Sequence, residues 1–471
     1  MDSHIHDVVV IGGGIIGASI LRELSQYDLH IVLVEKQPDV CEGTSKANSG
    51  IVHTGFDARP GSIEAECLRR SRERWPELIE QLRIPYLPCG AVMVAANEEE
   101  RQMILHKYVP TAEANGVAVR WMEREELLMA NPAVAPTTIG GLFIEGEGII
   151  DPFWATRSFT ELAVLNGAQI RLGNGVAGLE RNAANGGLTV VLQNGEIIET
   201  RFVINAAGLW SDEIARLVGD ESFSITPRKG QFILTEEQIE ISQIILPVPS
   251  PTSKGILVTP VVFGGYILGP TAEDQQDKWD RSTTEQGLTH IISESQKLLP
   301  DASRYASIRQ FAGVRAVGST GDFIIGRSVS EERLIHAAGI RSTGVSASPG
   351  VAELVVDKLI EAGLELIPKQ ERSTSLSDLF EDDREAAGEI ICLCRSITQS
   401  EVKRAGNGLI PCRTLDGVKR RTGATLGECQ GNYCIPSILD VLYKPEDEDG
   451  LQLVKGLTGS VLAQGGEDVE V

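Results

Sequence analysis

The sequence lacks the features that place a protein in a membrane or send it out of the cell. No stretch approaches the roughly eighteen consecutive apolar residues that span a bilayer. The apolar segment from Val8 to Leu21 is interrupted by glycines. Residues 1–7 contain no basic region of the kind that begins a signal peptide, so we expect a cytoplasmic protein.

Basic residues are also in short supply. The 471 residues include 66 Asp and Glu against 43 Lys and Arg, which gives a net charge of −23. This excess of negative charge argues against unaided binding to nucleic acid or to an anionic membrane surface. We therefore expect no nucleic-acid partner, and contact with a membrane only peripherally, through partner subunits.

Cysteine is scarce until near the C-terminus. Three cysteines are scattered (Cys41, Cys67, Cys89), whereas the other five lie close together: Cys392, Cys394, Cys412, Cys429 and Cys434. With 42% hydrophobic residues, the chain can bury a large core without disulfide staples. In a reducing compartment, such crowding indicates metal ligation before disulfides.

A glycine-rich motif follows the first apolar run. Residues 6–11 are rich in β-branched side chains and predict a buried parallel strand, which runs directly into Gly12, Gly14 and Gly17 in the pattern G-x-G-x-x-G. Gly12 permits a tight turn, Gly14 lets the backbone approach a pyrophosphate, and Gly17 brings helix and strand together. The motif predicts a dinucleotide site and does not separate FAD from NAD.

The residues after this motif have the expected order. Residues 18–26 predict a helix, whose N-terminus favours phosphate groups, and residues 31–34 predict a second strand that ends at Glu35. The carboxylate of Glu35 can accept hydrogen bonds from the adenosine ribose. The small, polar segment 43–55 is typical of a loop laid against a ligand.

Segment 43–55 resembles the flavin loop of the D-amino-acid-oxidase-like FAD-dependent oxidoreductase superfamily, and within it the group that contains glycerol-3-phosphate dehydrogenases and L-2-hydroxyglutarate oxidases. Segments 203–212, 313–315, 322–326 and 339–344 match its further flavin segments, in the same order. The resemblance spans residues 7 to about 360 and implies FAD. It implies these cofactor-binding residues: Gly12, Gly14, Ile15, Ile16, Gly17, Glu35, Lys36, Thr44, Ser45, Asn48, Ser49, Gly50, Val176, Ala206, Ala207, Gly208, Trp210, Gly313, Arg315, Gly339, Ser342, Thr343 and Gly344.

The same resemblance implies a catalytic set. Oxidation of a C–H next to a hydroxyl needs a base for the hydroxyl proton and cations for an anionic substrate. His53 matches the active-site histidine, Arg315 the arginine that binds the substrate anion, and Lys254 a lysine directed at substrate. His53 is also compatible with a structural loop hydrogen bond, and Lys254 with a solvated position.

Four other polar residues near the substrate side carry weaker signals. Ser49 and Thr343 are candidates for substrate hydrogen bonds, although hydroxyl residues are common in any tight loop. Arg228 and Lys229 begin a matching strand and are equally compatible with a structural role.

Two cysteine pairs, C-x-C at Cys392 and Cys394 and a second pair at Cys429 and Cys434, resemble the bacterioferritin-associated-ferredoxin-like [2Fe–2S] domain. Residues 414–422 resemble the version fused to anaerobic glycerol-3-phosphate dehydrogenase large subunits. Structural zinc and no metal stay open as alternatives, although C-x-C is atypical of zinc. Cys412 falls outside both pairs and is expected to be a buried thiol.

The surroundings of the cysteines add two expectations. Residues 400–405 and 436–442 predict helices, with both cysteine pairs on turns shortly before helix starts. Lys419, Arg420 and Arg421 fit either docking of an acidic redox partner or a solvated helix face. Gly423 stands where the fused version often has a further basic residue, which puts partner docking in doubt.

The resemblance implies an α/β fold, with a discontinuous Rossmann-like FAD domain, an inserted β-rich substrate domain and a small C-terminal helical [2Fe–2S] domain. The expected boundaries are the oxidoreductase at 1–367 (FAD parts about 1–80, 151–215 and 311–367; substrate parts about 81–150 and 216–310), an exposed linker at 368–389, the cluster domain at 390–445 and a tail at 446–471. Within the FAD domain, helices are expected near residues 64–82 and 352–362.

We expect an FAD-dependent dehydrogenase that oxidises a small hydroxylated anion. Resemblance favours sn-glycerol 3-phosphate, oxidised to dihydroxyacetone phosphate. Electrons would leave through the cluster to an external acceptor, either quinone-linked or an iron–sulfur partner protein. Alternatives are an L-2-hydroxyglutarate, amino-acid or imino-acid dehydrogenase or oxidase, and a flavin/iron–sulfur electron-transfer subunit of a larger complex. Homo- and hetero-oligomers both stay open.

Overall fold

The computed structural model describes residues 5–183, 186–236, 238–249, 255–376, 388–442, 453–456 and 460–463. The strands of these residues, in chain order, are β1 His6–Ile11, β2 Ile31–Val34, β3 Ile51–Val52, β4 Tyr86–Leu87, β5 Ala91–Ala95, β6 Val119–Glu123, β7 Gly140–Ile144, β8 Gly148–Ile150, β9 Gln169–Arg171, β10 Val176–Arg181, β11 Leu188–Leu192, β12 Ile197–Asn205, β13 Ile225–Thr235, β14 Ile244–Pro247, β15 Leu257–Pro260, β16 Tyr266–Gly269, β17 Glu273–Asp274, β18 Ser307–Gly318, β19 Ile324–Arg327, β20 Leu334–Ala338, β21 Ile390–Cys392, β22 Ile397–Thr398, β23 Leu453–Val454 and β24 Val461–Ala463.

The α-helices of the same residues are α1 Ile15–Leu24, α2 Ile63–Gln81, α3 Glu98–Met103, α4 Val109–Ala114, α5 Arg124–Ala130, α6 Pro152–Leu165, α7 Ser211–Arg216, α8 Glu285–Leu298, α9 Gly344–Glu361, α10 Gln399–Asn407, α11 Leu415–Thr422 and α12 Ile435–Leu442. Where the chain is described, no helix combines the length and apolar character that crossing a membrane requires.

The first sheet is the Rossmann-like part of the fold. Its strand order is β10-β11-β12-β1-β2-β9, with β20 on β12 and β19 on β20, and β1 lies parallel to both β2 and β12. All four residues of β2 are buried, as expected for a parallel strand covered on both faces. Helices α1, α2 and α9 pack on this sheet around one apolar core.

The predicted strands at residues 6–11 and 31–34 are confirmed. The first helix differs from the prediction, because it begins at Ile15 rather than Ala18. Gly14 has extended backbone angles and already serves as the N-cap, so the glycine motif itself supplies the first helical turn.

The second sheet has the strand order β17-β13-β16-β15-β14-β5-β7-β6, with β18 on the other side of β13. It therefore combines strands from both stretches that the sequence suggested for substrate binding. The long antiparallel pair β13–β18 places Arg228 opposite Arg315 and Gly230 opposite Gly313. A Cβ atom on Gly313 would lie 2.1 Å from the carbonyl oxygen of Ala47, so this strand lies directly against the loop that follows β2.

Residues 390–442 form a separate small unit with its own apolar core, contributed mainly by β21, α10, α11 and α12. The helices predicted at 400–405 and 436–442 are confirmed. Cys412 is buried, as expected. Cys392, in contrast, ends strand β21 instead of lying on a turn.

The segment before this unit is only partly an exposed crossing. Leu376 is buried in the core between α2 and α6, and the backbone N–H of Ser373 donates to Oδ1 of Asn166 at 2.8 Å. Segment 368–389 is polar in composition, but it contains one apolar residue, Leu376, that attaches it to the core. Residues 377–387, and the expected tail apart from 453–456 and 460–463, lie outside the described residues.

Both interpretations of Lys419, Arg420 and Arg421 are wrong. The two arginines at the end of α11 are buried against acids from the segment after β2: Arg421 makes two hydrogen bonds to Asp39, at 2.6 and 2.9 Å, and Arg420 donates to Asp39 at 2.8 Å and to Glu42. Lys419 pairs with Asp416. The two arginines thus bind Asp39 and Glu42 of the same chain, and a local sequence pattern does not reveal such distant partners.

The pKa of Asp39 reports the balance in this interface. Burial alone would raise the pKa of Asp39, but the positive charges of Arg421 and Arg420 outweigh burial and lower it. A carboxyl group with a lowered pKa stabilises the folded state at neutral pH, and this contribution is lost as the pH falls below the ordinary carboxyl range.

Replacement of Arg421 by alanine should loosen the attachment of the C-terminal unit. Removing one partner of a buried ion pair leaves an uncompensated charge and costs about 3–5 kcal/mol. Hydrogen exchange measured by mass spectrometry should therefore speed up in α11 and in residues 39–46. The control is Arg181→Ala, which removes an exposed pair with Glu332 and should change little. Equal exchange in the two variants would contradict the interface.

Candidate active site

One cavity of about 850 Å³ runs between the two sheets. Most of the predicted cofactor residues line it, among them Gly12, Glu35, Gly313, Arg315 and Ser342. Three predicted residues do not: Gly17, Gly50 and Thr343. Lys254 lies outside the described residues.

The glycine turn leaves room for a ligand at the start of α1. Gly12 has a φ of +112°, and a Cβ atom there would lie 2.4 Å from the carbonyl oxygen of Ala206. Gly17 packs even closer, since its Cβ would lie 1.9 Å from the carbonyl oxygen of Gly12, so this glycine serves strand–helix packing. The N-cap Gly14 offers no side chain to the first helical N–H groups, and Ile15 and Ile16 line the cavity. These residues fit a pyrophosphate.

Glu35 is held rigidly at the end of β2. Its Oε2 accepts a hydrogen bond from the N–H of Gly13 at 2.6 Å, and its Oε1 accepts one from the N–H of Gln37 at 2.8 Å. Burial raises the pKa of Glu35, while these two hydrogen bonds oppose the rise. The carboxyl group lines the cavity at the position expected for contact with a ribose.

A pair of neighbouring tryptophans, Trp210 and Trp279, also lines the cavity. The Nζ atom of Lys36 lies 2.9 Å from the ring centroid of Trp210 and 4.5 Å from that of Trp279. Burial lowers the pKa of Lys36 to about 8. The sequence singled out Lys36 and Trp210 but missed Trp279 and the nearby Arg281, because they lie in an irregular segment after β17 with no motif.

His53 follows β3 and lines the cavity. Its backbone N–H donates to Oγ of Ser346 at 2.9 Å, and that hydroxyl donates to the carbonyl oxygen of Ile51 at 2.9 Å. Its Nδ1 atom lies 3.0 Å from Oε2 of Glu147, whose side chain is fully buried. Glu147, which stands in the turn before β8, belongs to no motif and was not predicted as a site residue. Ser49 lines the cavity as well.

Two arginines line the cavity from strands β13 and β18. Alternation along β13 and β18 turns Arg228, Gly230, Arg315 and their in-phase neighbours towards the cavity. The Nη2 atom of Arg315 donates to the carbonyl oxygen of Thr271 at 2.6 Å, whereas its buried Nε has no hydrogen-bond partner among the described residues. Burial, together with the positive charge of Arg228, lowers the pKa of Arg315 to about 10. Such a guanidinium favours an anionic ligand.

Three residues near these arginines, Asp274, Gly230 and Lys229, have structural roles. Asp274 accepts two hydrogen bonds from Arg228, at 2.5 and 2.8 Å. A Cβ atom on Gly230 would lie 2.9 Å from Cβ of Pro270 and 3.1 Å from the carbonyl oxygen of Thr271, so a glycine suits this position. Lys229 points the other way and pairs with Asp280 at 2.8 Å, which is the structural role that the sequence left open.

Thr343 and Gly50 are placed apart from the cavity. The hydroxyl of Thr343 donates to Oε1 of Glu64 at 2.6 Å, and Arg341 pairs with the other oxygen of the same carboxylate. Gly50 has a φ of +69° and packs against the carbonyl oxygen of Ile150. Neither residue lines the cavity, whereas Arg341, which was not predicted as a site residue, does.

The four C-terminal cysteines come together as two pairs. Cys392 and Cys434 are buried neighbours, and Cys394, which is exposed, lies beside Cys429. Backbone N–H groups of Tyr433 and Gly431 lower the pKa of Cys429. A Cβ atom on Gly427 would lie 2.3 Å from Cβ of Cys394. Four thiols with N–H donors directed at sulfur fit the ligand set of a [2Fe–2S] cluster. Within the described ranges, no three potential ligands are grouped for a single metal ion.

Comparison with known proteins accounts for both sites. The family of FAD dependent oxidoreductases (DAO) matches residues 7–358, and the BFD-like [2Fe-2S] binding domain matches residues 390–444. The chain is 34% identical to a glycerol 3-phosphate dehydrogenase of Caloramator mitchellensis over 99% of both proteins. It is 30% identical to a glycerol 3-phosphate oxidase of Mycoplasma pneumoniae, over 74% of this chain and 93% of the oxidase.

A solved structure shows the same fold. Dithionite-reduced L-alpha-glycerophosphate oxidase from Mycoplasma pneumoniae, with FAD bound, aligns with a TM-score of 0.74 at 29% identity, over 79% of this chain and 98% of that one. The expected fold class is confirmed. The expected cofactors, FAD and a [2Fe–2S] cluster, are confirmed as well.

Replacement of single cysteines should separate the two cofactors. Cys394→Ala removes an exposed thiol of the four-cysteine site, so the purified protein should lose iron and acid-labile sulfide but keep its flavin absorption. The matched control is Cys412→Ala, a buried thiol of the same unit outside both pairs. It should retain iron, sulfide and flavin in the wild-type ratio. Full iron content in Cys394→Ala would contradict the assignment of this ligand.

Proposed function

The chain belongs to the FAD-dependent oxidoreductase (DAO) family, and from this premise we propose that it oxidises sn-glycerol 3-phosphate to dihydroxyacetone phosphate. When bound, the flavin accepts two electrons as a hydride and releases them singly, and the [2Fe–2S] cluster carries them onward one at a time. The observation that carries the substrate assignment is the pair of arginines that face the cavity from adjacent strands.

Arg228 and Arg315 suit a phosphate better than a carboxylate. They stand directly opposite each other on β13 and β18, and both line the cavity. Asp274 neutralises one of these charges, whereas the buried Nε of Arg315 has no hydrogen-bond partner among the described residues. A planar guanidinium binds phosphate through two parallel hydrogen bonds. We assign the phosphate to Arg315, with Arg228 as the second cation.

His53 is the proposed base. As the C–H bond next to the hydroxyl breaks and its electron pair leaves as hydride, the hydroxyl proton must be accepted, and the C–O bond becomes a carbonyl. Among the described residues, His53 is the histidine that lines the cavity, and an imidazole is a side chain that can accept such a proton near neutral pH. Ser49 is proposed as a further hydrogen-bonding group. The role proposed for Lys254 rests on the resemblance alone.

The C-terminal unit is proposed to pass electrons to an external acceptor, either quinone-linked or an iron–sulfur protein. Cys394 is exposed, and so are its neighbour Leu393 and, in the second cysteine turn, Tyr433. Contact with a membrane would then occur through that partner. An enzyme that reacted directly with oxygen would not need this route.

Anaerobic reduction of the bound flavin by a small substrate panel tests the proposal. Glycerol 3-phosphate should bleach the flavin absorption, whereas L-2-hydroxyglutarate and proline should leave it unchanged at the same concentration. Glycerol, which lacks the phosphate, is the matched control and should reduce the flavin poorly. Reduction by amino or imino acids alone would overturn the substrate assignment, and reduction by none of them would favour an electron-transfer subunit.

Arg315→Lys should raise the KM for glycerol 3-phosphate by about tenfold to a hundredfold, because a lysine keeps the charge but loses the bidentate geometry. The value of kcat should fall less than KM rises. Arg309→Lys, on the same strand, alters a side chain that donates to Gln430 instead of facing the cavity. It should leave flavin reduction unchanged. If KM responds equally in both variants, Arg315 does not bind the phosphate.

A further inference from the structure

Glu147 is a buried carboxylate that the reaction described above does not use. Only 1% of the surface of Glu147 is exposed to solvent. One oxygen, Oε1, accepts hydrogen bonds from the backbone N–H and the hydroxyl of Thr54, at 2.7 and 2.8 Å. The other oxygen, Oε2, lies 3.0 Å from Nδ1 of His53, and this is the ion-pair contact of Glu147 within the described residues.

Strand pairing fixes this contact. In the antiparallel pair β3–β8, Ile51 lies opposite Ile149 and Val52 opposite Gly148. The next residues along the two strands, His53 and Glu147, therefore face each other. Gly148 must remain a glycine, because a Cβ atom there would lie 2.4 Å from the ring of Tyr86. The carbonyl oxygen of Glu147 also accepts a hydrogen bond from the N–H of Gly90 at 2.9 Å.

Burial of a carboxylate is costly unless a cation or hydrogen-bond donors compensate it. Thr54 supplies two donors to Oε1, and Oε2 lies 3.0 Å from Nδ1 of His53, so the imidazole is the group placed to compensate this oxygen. A carboxylate at Nδ1 favours the tautomer with the proton on that nitrogen, and it stabilises the imidazolium that forms when Nε2 takes a proton. We propose that Glu147 is the positioning residue of His53, which fixes its tautomer and raises its basicity.

Other charged groups surround the pair. Arg72 of α2 donates to the carbonyl oxygen of Thr54 at 3.0 Å. From β13 and β18, Arg228 and Arg315 face the same cavity, and Asp57, Glu64 and Arg341 line it too. Glu64 is engaged by Arg341 and Thr343.

The remaining titratable neighbours act only at high pH. Tyr86 and Cys89 lie on the far side of Glu147, and burial raises the pKa of Tyr86 and raises that of Cys89 to about 11. The pKa of Arg315 is about 10. These groups titrate well above neutrality, so they do not produce the acid limb of a pH–rate profile. Proton binding by His53 can produce that acid limb.

The imidazole nitrogens of the oxidised holoenzyme give a test that needs no substrate. In ¹⁵N-histidine-labelled protein, with His53 assigned by its absence in His53→Gln, the neutral ring should carry its proton on Nδ1. Glu147→Gln should lower the pKa of His53 by about one unit or more and admit the other tautomer, because the amide NH₂ can donate to Nδ1. A wild-type ring protonated on Nε2, or an unchanged pKa in Glu147→Gln, would overturn the proposal.

The kinetic half of the test rests on the proposed function. In Glu147→Gln, the acid limb of kcat/KM for flavin reduction should move to lower pH and the plateau should fall by about tenfold or more. Glu147→Asp keeps the charge and should restore the acid limb even if its packing is imperfect. Glu161→Gln is the control, since Glu161 is also a buried carboxylate, paired with Arg157 away from the cavity.

The NMR measurement tests the role of Glu147 independently of the kinetic measurement, which also depends on the substrate assignment. If the His53 resonances respond as expected but glycerol 3-phosphate does not reduce the wild-type flavin, the substrate assignment is wrong and the role of Glu147 stands. If Glu147→Gln and Glu147→Asp lose activity equally while the His53 resonances and the acid limb stay fixed, Glu147 is merely structural and the proposal is overturned.

Discussion

Residues 39–54 form almost no regular structure, yet three other parts of the chain are fixed to them by polar contacts. From β18, the carbonyl oxygen of Val314 accepts a hydrogen bond from the Thr44 hydroxyl at 2.6 Å. From α11, Arg420 and Arg421 bind Asp39 and Glu42. From the turn before β8, Glu147 meets His53 and Thr54. Because loop 39–54 also lines the cavity, the cofactor site depends on all three contacts.

Charge burial gives these contacts their specificity. A buried ion pair adds little net stability, because the loss of hydration offsets the attraction, but an unpaired buried charge is strongly unfavourable. The pair of Arg421 with Asp39, and the buried carboxylate of Glu147 beside the imidazole of His53, therefore disfavour any arrangement that separates them. Apolar packing alone would tolerate small shifts of the loop, whereas these pairs do not. We infer that polar contacts determine the position of the loop and apolar contacts its stability.

This distinction explains what the sequence could predict. The first strand, the glycine turn and Glu35 lie within one short segment, so the local sequence pattern was sufficient to place them. The exception is the first helix, which begins at Ile15 and so three residues earlier than predicted. Arg420 and Arg421 were misjudged because their partner Asp39 is about 380 residues away along the chain. Glu147 was missed for the same reason, since only the register of β3 and β8 brings it to His53. The position of Thr343 likewise depends on Glu64, a distant acid.

The C-terminal unit is attached at a second place, by residues outside α11. Arg395, next to Cys394, pairs with Glu236 after β13, and Gln430, next to Cys429, accepts a hydrogen bond from Arg309 of β18 at 3.1 Å. The turns that carry these two cysteines therefore rest on the same strand pair that presents Arg228 and Arg315 to the cavity. The unit is therefore held both at α11 and at its cysteine turns. Because of these two sets of contacts, packing determines where the four cysteines lie relative to the flavin site, and the length of the connecting chain does not determine it.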